Sequence, residues 1–351
     1  MSGHDRRSEG RDRRSAPRKL VYTGVTVLLL AAGLELGARL VTDAEEFQRF
    51  GQRVGAWMDT GLADFNACLE PDPELFWRLR PDQALPLDRK RPFFGQVSNA
   101  AGLRGRVPGP GRADALRVLA LGDSCTFGFG ADADETWPAR LEAALRARHG
   151  LEAEVFNAGV PGYSSQQGVV VAERWIPRLA PDVVLVAFGW NDSSVWDGRS
   201  DAEHAAPPSG ATALLQHSRA FAALRKVLFS WRRSSGGRDA VSPRVSPQAF
   251  EDNLDRIASL AREHGAEVVF VAWPFRDQMG ESFEGLTAYQ RATLDGPGDT
   301  VDLVTGFRDH GVEAGQFLDG GHVGPAGYAL VARLLAAELP WTEQRPWPAA
   351  R

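Results

Sequence analysis

The 351-residue chain is 43% hydrophobic and 24% charged, an ordinary balance that provides apolar material for one large or two small domains and excludes a disordered tail. Its formal net charge of -5 is mild, and beyond the first twenty positions the two signs are interspersed, which excludes a nucleic-acid-binding body and fits a small or carbohydrate-like partner. Only two cysteines occur, Cys68 and Cys125, so no disulfide framework or cysteine-rich metal site can be built, and whether the two pair is left open.

Seven basic residues between Arg6 and Lys19 precede an apolar run from Leu20 to Leu34 that continues, with Glu35 and Arg39, to Val41. A run of about twenty residues matches the hydrocarbon core of a bilayer, and the basic flank predicts a cytoplasmic N-terminus with the rest outside. Glu35 and Arg39 lie one helical turn apart and can pair. The reading favoured is a basic cytoplasmic tail over 1–19 and a transmembrane signal anchor over 20–41. A cleaved signal peptide is the alternative, although no small-x-small site ends the run. A proline-rich segment with scattered aromatics and no sustained period follows over 42–111 and is expected to pack partly on the main domain, which is placed at 112–345.

That domain opens with the apolar strand Leu116 to Leu121, and from there strands and helices alternate. A helix begins near Trp137 and Pro138 and stops at Gly150, and a strand follows at Val155 and Phe156. Gln166 to Leu179 predicts an amphipathic helix, and Asp182 to Phe188 a buried strand bounded by Pro181 and Gly189. Further on come a helix through Phe250, Leu254, Ile257 and Leu260, a strand from Val268 to Trp273, a short strand from Thr300 to Val304 and a last helix from Pro325 to Leu339. This alternation predicts a parallel sheet covered on both faces. Residues 193–247 are an insertion or lid rich in Ser, Gly, Pro and Arg, with one helical stretch near Phe221, Leu224, Val227 and Leu228.

An open parallel sheet binds ligands beyond the carboxyl ends of its strands, which singles out four polar segments. They are Gly122-Asp123-Ser124, the turn Asn157 to Gly162, Gly189-Trp190-Asn191-Asp192, and Asp319-Gly320-Gly321-His322 before the last helix. Acyl transfer needs a nucleophile, a base, a carboxylate that orients the base, and donors for the developing oxyanion. Ser124, His322 and Asp319 supply the first three. The N–H groups of Ser124 and Gly162 and the side-chain amide of Asn191 supply the donors. Asp192 is expected to fix the turn that presents Asn191, and Tyr163, Trp190 and Trp273 are candidate cleft-lining residues, although aromatic residues are also ordinary core material.

The four segments resemble blocks I, II, III and V of the SGNH (GDSL-like) hydrolases, whose letters fall on Ser124, Gly162, Asn191 and His322. The run NAGVPGYSSQQG from Asn157 to Gly168 is similar to the block II turn of bacterial lysophospholipase and thioesterase members, which selects Gly162 over Gly159. Ser98 to Arg104 resembles an element upstream of the nucleophile in membrane-anchored bacterial members. The resemblance spans roughly Asn99 to Leu339 and implies a three-layer α/β/α sandwich with a parallel, flavodoxin-like sheet. It departs from the family at Cys125, where leucine is common, and at Val323, where proline often follows the histidine. It implies ester hydrolysis of an acylated carbohydrate or lipid outside the cytoplasm. An O-acyltransferase acting on envelope or exported polysaccharide, and a catalytically silent carbohydrate-binding protein, stay open as alternatives. The other histidines lack partners at metal-ligand spacing, so neither metal nor cofactor is expected.

Overall fold

The computed structural model describes residues 16–41, 63–109, 115–195, 198–206 and 242–339, together with 210, 215, 218–221, 223, 224, 227, 228 and 231. The basic tail up to position 15, residues 42–62 of the membrane-proximal segment, much of the insertion between 207 and 241, and residues 340–345 lie outside the described residues. The chain forms two compact units, one of Met1–Gly55 with Pro207–Gly237, the other of Ala56–Ala206 with Arg238–Arg351. The two arms of the expected insertion, up to 206 and from 238, therefore belong to the second unit.

The first unit contains α1 (Ala16–Val41). From Arg18 to Val41 this helix is long and apolar enough to cross a membrane, and none of it is buried. Glu35 and Arg39 form the expected pair at 2.7 Å.

The second unit is built on five parallel strands, β5 (Leu116–Gly122), β6 (Ala153–Asn157), β7 (Val183–Ala187), β8 (Glu267–Ala272) and β9 (Asp299–Asp302), in the order β6-β5-β7-β8-β9. This is the flavodoxin-like order, whose switch point lies where the first strand stands between the second and the third. Successive side chains of a strand alternate between faces. Val118, Ala120, Val155, Leu185, Val269 and Val301 join one core cluster with residues of α4 (Trp137–His149) and α10 (Pro325–Glu338). Leu119, Leu121, Phe156, Val184, Val186 and Phe270, one position out of step, are equally buried on the other face, where α5 (Ser165–Leu179) and α7 (Pro247–Glu263) pack together. The sandwich therefore has three layers.

Local chemistry sets the boundaries. Pro138 opens α4 and Gly150, at φ 67°, closes it in the left-handed conformation. At the start of α5 the Gln167 side chain reaches back to accept from the Ser164 N–H at 3.0 Å. The last strand, expected to run to Val304, ends at Asp302, because the Asp302 carboxylate accepts from the N–H groups of Val304 and Thr305 at 2.9 and 3.1 Å and starts α9 (Leu303–Asp309). Short helices among the described residues include α2 (Ala63–Ala67), α3 (Ser124–Phe127), α6 (Asp201–Ala205) and α8 (Ala288–Leu294).

The segment before β5 is more ordered than its composition suggests. It forms two antiparallel pairs, β1 (Leu69–Asp72) with β2 (Phe76–Leu79) and β3 (Ala84–Leu85) with β4 (Gly95–Gln96). Contacts distant in sequence hold it to the sheet layers. Trp77 Nε1 donates to the Pro161 carbonyl at 3.2 Å, Gln167 Nε2 to the Leu75 carbonyl at 2.7 Å, and Arg174 grips Asp72 with both nitrogens at 2.7 and 2.9 Å. Both cysteines are free and buried.

Candidate active site

All four polar segments lie at the carboxyl end of the sheet, and the one that ends β5 meets the other three directly. β5 ends at Gly122, where a β-carbon would collide with Thr126 and with the Ala187 carbonyl, so only glycine lets β5 approach β7 so closely. Asp123 caps α3 by accepting from the Cys125 N–H at 2.8 Å, which sets Ser124 as the first helical residue. Gly128, at φ 98°, ends the helix after a single turn. Ser124 is 1% exposed. Its Oγ lies 2.7 Å from His322 Nε2, although the two are 198 residues apart in sequence.

His322 is presented by a tight turn in which Phe317 and Val323 form an isolated bridge and the Leu318 N–H donates to the His322 carbonyl at 2.8 Å. Asp319 Oδ1 accepts from the N–H groups of Gly321 and His322 at 3.0 and 2.9 Å. Its Oδ2 accepts from His322 Nδ1 at 2.6 Å. Partial burial alone would raise the Asp319 carboxyl. The hydrogen bond and charge of His322, with the two backbone donors, outweigh that and hold it at about 2, so it is ionised across the working range of an enzyme. With Nδ1–H committed to Asp319, Nε2 is left to accept the Ser124 proton.

The donor side is assembled from the other two segments. Asn191 is 3% exposed, and one N–H of its Nδ2 donates to Asp123 Oδ2 at 2.9 Å, leaving the second N–H of the same amide. Burial pushes the Asp123 carboxyl above its usual range, while the Cys125 and Asn191 donors act the other way. Gly162 stands at φ 82°, where a side chain would be strained and would press on Trp77. Its carbonyl accepts from Arg244 Nη1 at 2.6 Å. Among the described residues, no acceptor takes the N–H of Ser124 or of Gly162.

Asp192 sits behind Asn191, fully buried, and accepts from the Ser165 N–H and hydroxyl at 2.9 and 2.6 Å and from the Gly189 N–H at 3.1 Å. These bonds close the turn onto the start of α5. Burial still dominates and lifts its carboxyl to about 6.

The three aromatic candidates serve different ends. Tyr163, expected as a cleft residue, is 1% exposed and donates its hydroxyl to the Trp77 carbonyl at 2.6 Å, so it locks the β1–β2 pair instead of facing a ligand. Trp273 is buried and donates Nε1 to the Gly321 carbonyl at 2.8 Å, bracing the histidine turn from below. Trp190 is partly exposed, packs on Phe275 with ring centroids 4.9 Å apart, and covers Gly320 so closely that a β-carbon there would lie 2.8 Å from its ring.

Three residues outside the four segments complete the candidate site. Phe129, partly exposed, stacks on the His322 ring at a centroid distance of 4.0 Å and 14° between planes. Arg244 pairs with Asp201 at 2.7 Å with both side chains fully buried, and so ties the arms of the insertion to Gly162. Arg104, from the element upstream of β5, is 1% exposed, stacks over Phe127 at 4.0 Å and donates to the Ala131 carbonyl at 2.7 Å, which supports the turn after α3. Burial lowers its guanidinium to about 10. The two glycines before His322 are the signal that a bulky ring covers that turn; Arg244 and Phe129 carry no local signal.

The profile of the GDSL-like lipase/acylhydrolase family matches residues 120–330. An arylesterase of Vibrio mimicus is 22% identical over 225 residues, covering 64% of this chain and 88% of that protein. Thioesterase 1/protease 1/lysophospholipase L1 of Escherichia coli K12 is 35% identical over 80 residues, 23% of this chain and 36% of that protein. Among solved structures, an acetylxylan esterase from Geobacillus stearothermophilus aligns with a TM-score of 0.44 at 15% identity, over 68% of this chain and 100% of that one.

Proposed function

The chain belongs to the GDSL-like lipase/acylhydrolase family and is a serine esterase, and from that premise we propose that Ser124, His322 and Asp319 form its catalytic triad, acting on an acylated carbohydrate or lipid outside the cytoplasm. The observation that carries this reading is the continuous relay from Ser124 Oγ through His322 to Asp319, at 2.7 and 2.6 Å, at the carboxyl end of β5.

In the first half-reaction His322 Nε2 takes the Ser124 proton as Oγ attacks the ester carbonyl. Negative charge develops on the carbonyl oxygen, where the N–H groups of Ser124 and Gly162 and the second N–H of Asn191 receive it. Collapse breaks the bond to the alcohol, which leaves with the proton held on His322. In the second half-reaction a water gives its proton to His322 and attacks the acyl-enzyme, releasing the acid and restoring Ser124. Asp319 keeps its charge throughout, orienting the ring and stabilising the imidazolium. Phe129 and Trp273 act as positioning residues, on the ring and on its turn.

The placement outside the cytoplasm is supported by α1, a helix apolar enough to span, and by the cluster of arginines before it. The test is hydrolysis of short-chain p-nitrophenyl esters by the full chain in detergent or vesicles, beside Ser124→Ala. Loss of turnover by about 10⁴-fold or more is expected in the variant. Activity surviving in Ser124→Ala would overturn the triad. A wild type that transfers the acyl group to an added sugar acceptor faster than to water would replace hydrolysis with acyl transfer.

A further inference from the structure

Glu35 is an odd residue for a helix apolar enough to span a bilayer, and the first compact unit explains it. Besides pairing with Arg39, its carboxylate accepts from the Ser218 hydroxyl at 2.8 Å and from the N–H groups of Arg219 and Ala220 at 3.2 and 3.1 Å. The described residues from Arg219 to Trp231 are helical, so Glu35 caps the N-terminus of a helix in the insertion, where unpaired N–H groups favour a negative charge. A membrane-facing carboxylate is expensive unless it is satisfied in this way.

The insertion helix has two contrasting sides. Leu224, Val227, Leu228 and Trp231 are 54%, 64%, 48% and 64% exposed. At about 100° per residue they fall, with Phe221, within an arc of roughly 120°. The same sequence period sets Arg225, Lys226, Arg232 and Arg233 outside that arc, with Phe229 the one large apolar residue among them. Exposed apolar residues with tryptophan on one side and cations on the other are the pattern of a helix that lies in a membrane interface. Its depth agrees. Glu35 is six residues from Val41, so the cap lies about 9 Å from the outer end of α1, at the boundary between headgroups and acyl chains into which such helices sink.

We propose that residues 218–231 form a basic amphipathic helix lying in the bilayer interface at the end of α1, with Leu224, Val227 and Leu228 among the acyl chains and the arginines at anionic headgroups. The Glu35 cap fixes its level. This inference rests on the reading of α1 as a membrane span, and the test separates the two. The full chain is reconstituted in phosphatidylcholine vesicles containing phosphatidylglycerol, and flotation establishes whether α1 holds it there. An environment-sensitive fluorophore is then placed on Val227→Cys or, as control, on Lys226→Cys; the native Cys68 and Cys125 are buried.

Nitroxide carried at shallow depth on the lipid is expected to quench the Val227 label at least about threefold more than the Lys226 label, with iodide showing the reverse order. A chain that floats but leaves the Val227 label as open to iodide as the control overturns the inference and spares the anchor. A Val227 label shielded from both quenchers overturns it too, since a protein surface then covers that side. Failure to float removes the anchor, and this inference with it.

Discussion

Replacing Asn191 by alanine separates the two duties assigned to one amide. Its Nδ2 donates one N–H to Asp123 Oδ2 at 2.9 Å, and the proposed chemistry gives the other to the oxyanion. Removing an oxyanion donor costs about 2.7–4 kcal/mol of barrier, a fall in kcat of about 10²–10³. The same change removes a donor from a carboxylate that is 2% exposed, at a cost of about 1–3 kcal/mol. A domain of this size loses roughly 2–4 °C of Tm per kcal/mol, so a drop of about 2–12 °C is expected. Steady-state hydrolysis of p-nitrophenyl acetate well below the melting transition reads the first effect, and calorimetry reads the second. If Tm falls as expected while kcat stays within about threefold of wild type, Asn191 braces Asp123 and nothing more, and the oxyanion assignment is refuted.

Phe129→Ala removes a ring stacked on His322, an interaction worth about 0.5–1.5 kcal/mol, so kcat should fall by roughly two- to tenfold with KM unchanged and return in Phe129→Trp; an unchanged kcat would show that the Asp319 turn alone sets the ring. Arg244→Met removes one partner of a buried ion pair and should destabilise the protein by about 3–5 kcal/mol in chemical denaturation. A loss below about 1 kcal/mol would mean that water reaches Asp201. Burial tends to raise the Asp72 carboxyl, yet Arg174 and the N–H groups of Leu75 and Glu74 hold it at about 2. A depressed folded pKa stabilises above the ordinary value and loses that contribution as pH falls towards 2, here about 2 kcal/mol. Asp72→Asn should therefore flatten the acid limb of stability between about pH 4 and pH 2, and an unchanged limb would show that the Arg174 pair contributes nothing.

What was legible in the sequence follows a physical division. Val183 to Val186 could hardly be anything but a buried parallel strand, and Asp123, Ser124, Asn191 and His322 each follow such a strand or precede the last helix, so one pattern pointed to the sheet and to the candidate site together. The β1–β2 and β3–β4 pairs stayed hidden because their strands are two to four residues long and Phe76 takes a positive φ of 67°. Their order comes from Trp77, Gln167 and Arg174, partners about 84 to 102 residues away in the pairings that matter, and no local period encodes those. Arg244 stands in a polar, arginine-rich stretch with nothing local to mark its burial, which depends on Asp201, 43 residues earlier. Tyr163 misled for the opposite reason: it stands one residue after Gly162, but its side chain points to Trp77.

Three buried carboxylates stand behind the proposed oxyanion donors, two behind Asn191 and one behind Gly162. Asp123 holds the Asn191 amide, Asp192 closes the turn that carries it, and Asp201 anchors the arginine that grips the Gly162 carbonyl. None of this is favourable on burial alone, as the Asp192 carboxyl at about 6 shows. An acid whose folded value is raised binds protons more tightly folded than unfolded. Asp192 therefore weakens the fold as pH rises from about 4 to about 6, and that loss persists at neutral pH. A charged residue kept where it opposes stability needs another reason. Donors that are already oriented require no reorganisation when charge develops on the substrate, and fixed buried carboxylates are what hold these donors in place.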